Sequence, residues 1–228
     1  MLLTPLLVGA VASGVRWTHL LLLAFWVAGY LAFFATGLWL RSGRRARYLP
    51  PVSTYVPVAA ALGLALLVAD PTLLRWAPVF VLPLGVGLRA AATRHDRALV
   101  SGLATTVGST LMTVVAYDLG PGTDWSTAWQ LTAVLAGYFA GTVLYVRSAI
   151  RGRDDPRILA ASVVFHAALA ATALLLLPFP ADLGLAAVGV ALTLRAALVP
   201  PLRWSPARLG VGEIAMTVLV AGTALISV

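Results

Sequence analysis

Four arginines and two adjacent aspartates fall within the eleven residues Arg147-Ser-Ala-Ile-Arg-Gly-Arg-Asp-Asp-Pro-Arg157. A guanidinium presents a planar fork of donors that matches two oxygens of a phosphate or carboxylate. Asp154 and Asp155 beside it could orient such forks, or share a divalent cation with a bound phosphate. Arg94-His-Asp-Arg97 repeats the mixture on a smaller scale. Arg195 and Glu213 stand singly in apolar surroundings, Glu213 about one turn into the last apolar run. A carboxylate there lacks water and must be neutral or paired, and Arg195 is the expected partner. Arg94, Arg97, Arg147, Arg151, Arg153, Asp154, Asp155, Arg195 and Glu213 are therefore the candidate anion-binding residues. The plainer reading is that the arginines orient the chain and touch anionic lipid, each contributing about 1 kcal/mol near such a surface.

Other chemistries find no support. The chain has no cysteine, hence no disulfide, thiolate or Cys-ligated metal. His166 lies nine residues beyond Arg157, about 13 Å deeper along a helix, with no HxxxH or HExxH partner. It reads as a hydrogen-bonded packing residue. His19 and His95 complete no nucleophile–base pair, and the glycines lie inside apolar runs rather than in a phosphate loop. No catalytic residue is assigned and no cofactor is expected.

The elements that position these residues follow from composition. Of 228 residues, 61% are hydrophobic and only 11% charged, with mean hydropathy +0.95. A soluble domain carries about a quarter charged residues, so this is an integral membrane protein. Its sixteen basic residues are all arginine, and they sit in short clusters between apolar runs, which argues against a nucleic-acid partner. The runs predict an all-α bundle of about nine spans: a first helix within 1–15, then about 18–40, 53–69, 73–92, 98–119, 128–149, 157–177, 183–199 and 210–228. The first run is short for a bilayer core of about 30 Å, and reads as a helix clipped at its start. A signal peptide is the alternative, but no positive segment precedes it. No linker interrupts the spans, so residues 1–228 are expected to form one bundle.

Arginine placement predicts orientation. The loops after helices 2, 4, 6 and 8 hold fourteen of the sixteen arginines, which puts those loops and the N-terminus in the cytoplasm and the C-terminus outside. Trp17, Trp39, Trp76, Trp125, Trp129 and Trp204 fall near span ends as an aromatic belt, while Trp26 lies deep. Gly137-Tyr-Phe-Ala-Gly141 is a GxxxG pattern that admits a close neighbour helix. Ser101, Thr105, Ser109 and Thr113 share one face of helix 5. Pro78 and Pro83 in helix 4 predict a kink, or a helix bordering a cavity that opens toward Arg89.

Met1-Leu-Leu-Thr-Pro-Leu-Leu-Val-Gly9, Tyr145-Val-Arg-Ser-Ala-Ile-Arg151 and Gly212-Glu-Ile214 together resemble the YwiC-like family of bacterial membrane proteins. The resemblance covers essentially the whole chain and implies topology rather than a reaction. Members usually begin with a Gln-His-Gly-Ala-Trp-like segment just before the position of Met1, in keeping with a clipped first helix. A more distant likeness is to UbiA-type prenyltransferases. That likeness implies a cytoplasmic-side cavity and Mg²⁺ held by Asp-rich motifs after helices 2 and 6. Asp154-Asp155 answers one motif in part, and loop 41–48 has no carboxylate to answer the other.

The expected protein is thus a multi-pass protein of the bacterial inner membrane, binding or moving an anionic lipid or metabolite at an arginine-rich cytoplasmic mouth. The alternative is a UbiA-like enzyme acting on a prenyl or lipid-linked phosphate, the one case in which Mg²⁺ would be expected. Expected partners are membrane lipids, anionic lipid or lipid phosphate among them.

Overall fold

The computed structural model describes residues 1–228 except 96, 97, 178 and 180 and the side chains of 181 and 182. Among the described residues there are nine α-helices and no strand: α1 Thr4–Ser13, α2 Trp17–Arg41, α3 Leu49–Ala69, α4 Ala77–Ala92, α5 Leu99–Leu119, α6 Trp125–Val146, α7 Pro156–Leu176, α8 Ala181–Leu198 and α9 Pro206–Ile226. Eight helical stretches are long and apolar enough to cross a membrane; the ten-residue α1 is not. Prolines mark several starts, because Pro in the first turn forfeits only an N–H that would be unpaired anyway. Pro156 follows the cap Asp155, whose Oδ1 accepts from Arg157 N at 2.9 Å, and Pro206 follows the cap Ser205. Pro78 plays the same part in α4, so of its two prolines only Pro83 lies in the helix interior.

The chain gathers into two compact units, Met1–Thr132 and Ala133–Val228. In the first, α2 packs on α3 and α4, and α5 packs on α4 and α1. Leu6, Leu22, Leu66, Leu73, Met112, Val115, Ala116 and Leu119 form its core. The serine and threonine face of α5 works in two ways. Thr105 bonds back to the carbonyl four residues earlier, as do Thr106 and Thr110 beside the face, while Ser109 donates to Met1 O at 2.6 Å. Gly9 lies against this face so closely that a Cβ there would collide with the Thr113 carbonyl. His19 ties α2 to α5: its Nδ1 accepts from Arg16 N at 2.9 Å, so Nε2 carries the proton donated to Ala116 O at 2.8 Å.

At one end of this unit Arg75 grips Asp118 with the edge of its guanidinium, Nε to Oδ2 at 3.1 Å and Nη2 to Oδ1. Trp76 Nε1 donates to the same carboxylate at 2.8 Å, and the Trp76 ring lies 6.4 and 6.3 Å from those of Trp125 and Trp129. Along α4 an apolar groove of about 420 Å³ is lined by Pro78, Val81, Leu82, Gly85, Val86 and Arg89. It follows the helix toward Arg89, as the Pro/Gly pattern of α4 suggests.

In the second unit α8 packs against α7 and α9. The approach is close: a Cβ on Gly189 would lie 2.7 Å from that of Ala170. The glycine pattern of α6 admits α7, since Cβ atoms on Gly137 and Gly141 would lie 2.9 Å from Leu169 and 2.7 Å from His166. Beyond Val146 the helix continues as one wide π turn, Arg147–Arg151, which Gly152 N closes onto Arg147 O at 2.7 Å.

Candidate functional site

The second unit holds an ion pair inside its helices. Arg195 sits in the last turn of α8, where a cation is favoured by the helix dipole. Glu213 lies seven residues past the start of α9, about 10 Å along the axis. Arg195 Nη1 donates to Glu213 Oε1, with the two side chains only 9% and 16% exposed. This is the pairing expected from the sequence.

Glu213 has further partners on α6. Thr142 Oγ1 donates to Oε2 at 3.1 Å, and Tyr138 OH lies 3.4 Å from the same oxygen. Thr217 spends its proton on Glu213 O at 2.7 Å, so at 2.9 Å its oxygen accepts from Tyr138. Thr142 is therefore the firm neutral donor to the carboxylate. On the other side the guanidinium carbon of Arg195 stands 4.1 Å from the Tyr145 ring centroid, a desolvated cation–π contact. Tyr145 is itself buried with Ala149, Ala196 and Leu209.

Two edges of this cluster remain unpartnered. Arg195 Nε and Nη2 are buried and have no hydrogen-bond partner among the described residues. The same holds for His166 Nε2 and Ser162 Oγ. His166 is fully buried, and its Nδ1 lies 2.7 Å from Ser162 O.

The other candidates have separate places. Arg153 Nε donates to Ala149 O at 2.8 Å and Nη2 to Trp204 O at 3.4 Å, bracing the π turn. Asp154 forms an exposed pair with Arg203 at 3.1 Å, and Asp155 caps α7. Arg147 and Arg151 begin and end the π turn. Arg94 belongs to the first unit, at the end of α4 with φ 60°. Arg97 lies outside the described residues. Among the described residues no group of three or more His, Cys, Asp or Glu side chains is arranged to hold a metal.

Sequence reasoning missed Tyr138, Thr142 and Tyr145. Their spacing of four and three residues puts them on one face of α6, but a shared face does not tell which neighbour its hydroxyls reach.

A family model described as YwiC-like protein matches residues 1–117, just over half of the chain. The chain belongs to the YwiC-like family. The uncharacterized protein YwiC of Bacillus subtilis (strain 168) is 29% identical over 181 residues, 78% of this chain and 72% of the relative. That stretch is longer than the first unit, so the YwiC likeness extends into the unit that carries Arg195 and Glu213. No solved structure matches the chain. The likeness to UbiA-type prenyltransferases accordingly gains no support from comparison, and the YwiC-like assignment stands as one of a bacterial multi-pass membrane protein.

Proposed function

We propose that this YwiC-like protein binds an anion presenting a two-oxygen edge, a phosphate or carboxylate, free or carried on a lipid, with Arg195 as the principal contact. The observation that carries this reading is the Nε/Nη2 edge of Arg195, buried and unpartnered. Glu213 fixes Nη1 and Tyr145 covers one face, so the direction of that edge is set. In the same chain the same edge of Arg75 takes both oxygens of Asp118. Leaving a buried donor unmade costs about 1–3 kcal/mol, more when it is charged. An oxyanion would recover that cost. The arginines of the π turn and its neighbours add a positive field that draws anions to this end. Their bias supports a cytoplasmic position for this end.

A prenyl-transfer or lipid-phosphate enzyme would need carboxylates converging on Mg²⁺. Asp154 and Asp155 are engaged with Arg203 and the start of α7, and no observation favours that alternative.

The test is binding to the purified protein, using methanesulfonate as a free probe and dihexanoylphosphatidylglycerol as a lipid-borne one. Both are monovalent and do not titrate near neutral pH. Native mass spectrometry on the untreated sample reports whether a phospholipid is retained. Arg195→Lys keeps the charge beside Glu213 and loses the fork. It should weaken binding at least tenfold, a loss of about 1.4 kcal/mol. Asp154→Asn and chelation of divalent ions should change little. Binding by Arg195→Lys equal to wild type would overturn the reading, and the preferred probe separates lipid from free anion.

A further inference from the structure

We infer that His166 is the proton-binding partner of the Arg195 centre, so that the oxyanion enters together with one proton. The inference rests on the anion reading of Arg195 and adds a charge argument to it. As an ion pair, Arg195 and Glu213 carry no net charge. Adding a monovalent anion leaves one negative charge inside the helices, where an uncompensated charge is costly. One proton restores neutrality.

The geometry identifies where that proton goes. His166 Nδ1 lies 2.7 Å from a backbone carbonyl, which can only accept, so Nδ1 carries the hydrogen. Nε2 then presents a lone pair, fully buried and without a donor among the described residues. The ring packs tightly against Gly141 of α6, where a Cβ would lie 2.7 Å from Nε2. Protonated, Nε2 becomes a donor on the side of the ring that faces α6. Ser162 Oγ, equally buried and unpartnered, lies one turn away on the same helix.

The ionisable residues on the elements of the unit are Arg157 on α7 itself, Asp182 and Arg195 on α8, Tyr138 and Tyr145 on α6, Arg208 and Glu213 on α9, and Arg147 and Arg151 on the π turn. Gly141 adjoins Thr142, which donates to the Glu213 paired with Arg195, so an anion neutralising the free edge of Arg195 also lowers the cost of an imidazolium at this cluster. Glu213 is the competing acceptor, but Arg195 and Thr142 already donate to its two oxygens. His166 Nε2 has no such competing bond.

Calorimetric titration of the full chain with methanesulfonate near pH 7, in two buffers of different ionisation enthalpy, counts protons taken up per anion. Wild type should take up about one. His166→Gln should abolish that uptake while binding the probe several-fold more weakly. Nitrogen-15 NMR of the wild type gives the same reading without a variant. The chain has three histidines, and one should change from a neutral to an imidazolium spectrum when the probe binds. Anion binding without proton uptake, or unchanged uptake in His166→Gln, would overturn the inference and leave the Arg195 site standing. A wild type that binds neither probe would remove both.

Discussion

Arg195 is constrained from two directions: Glu213 on one terminal nitrogen and the Tyr145 ring on one face. The sequence made the Arg195–Glu213 pair legible because two lone charges in apolar helices at one end of the molecule must find each other. It did not reveal Thr142 and Tyr138, because hydroxyls that satisfy themselves within a helix look the same in sequence as those that reach across. Removing one member of a buried pair strands the other, at about 3–5 kcal/mol, far above the roughly 0.6 kcal/mol average for polar bonds between membrane helices. Glu213→Ala should therefore destabilise the fold strongly in a detergent melt. Arg195→Met combined with Glu213→Leu should recover most of that loss. If the double variant is no better than the single, the cost lies in packing rather than in stranded charge. Asp124 supports a milder prediction. Ser126 and Thr127 hydrogen bonds hold its carboxylate below the ordinary aspartate range, at the start of α6. A depressed pKa stabilises the folded state above the ordinary value of about 3.9, and the gain is lost as pH falls through the lower folded value. Asp124→Ala should thus lower the melting temperature at pH 7, and the gap to wild type should narrow below about pH 4.

Helix positions were almost fully readable, since charge clusters and prolines punctuate the apolar runs. The exceptions have physical causes. Helix 6 was expected to end at 149, yet it leaves α geometry after Val146 for a π turn that keeps Tyr145, Ser148 and Ala149 buried. Hydrophobic period alone does not distinguish one inserted residue. The span expected over 73–92 is present within the helical stretch Pro71–Ala92, but Pro71–Trp76 is 3₁₀ and α geometry begins at Ala77, which leaves Pro83 as the one interior proline. Gly141 tests the α6–α7 contact. Overpacking a tight contact costs about 1–3 kcal/mol, so Gly141→Leu should lower stability by that order. Leucine at Gly29 is the control, since nothing lies within 4 Å of a Cβ there. Equal melting temperatures for the two variants would show that α6 does not need the close approach. Gly9 makes the same demand of α1 against α5, where the obstructing atom is backbone and cannot move aside.

Over the whole molecule, the arginine asymmetry predicts which ends face the cytoplasm. Ser148 is buried and so is a poor labelling position, whereas Ala46, Ala207 and Thr123 are exposed. Cysteines at Ala46 and Ala207 should resist an impermeant thiol reagent in intact cells while one at Thr123 reacts, and the chain has no native cysteine to interfere. The opposite labelling pattern would reverse the topology. Finally, the ring cluster around Trp76 has a spectroscopic consequence. Of the seven tryptophans, six lie in Met1–Thr132, and three of those, Trp76, Trp125 and Trp129, sit near enough to couple their transitions. Near-ultraviolet dichroism therefore reports chiefly on the first unit. The second unit contributes one indole, Trp204, whose carbonyl accepts from Arg153 beside the π turn. With the other six replaced by phenylalanine, Trp204 emission becomes a private optical channel to the arginine-bearing end. The natural placement of these chromophores thus lets one chain report its two units at different observables during a single melt or titration.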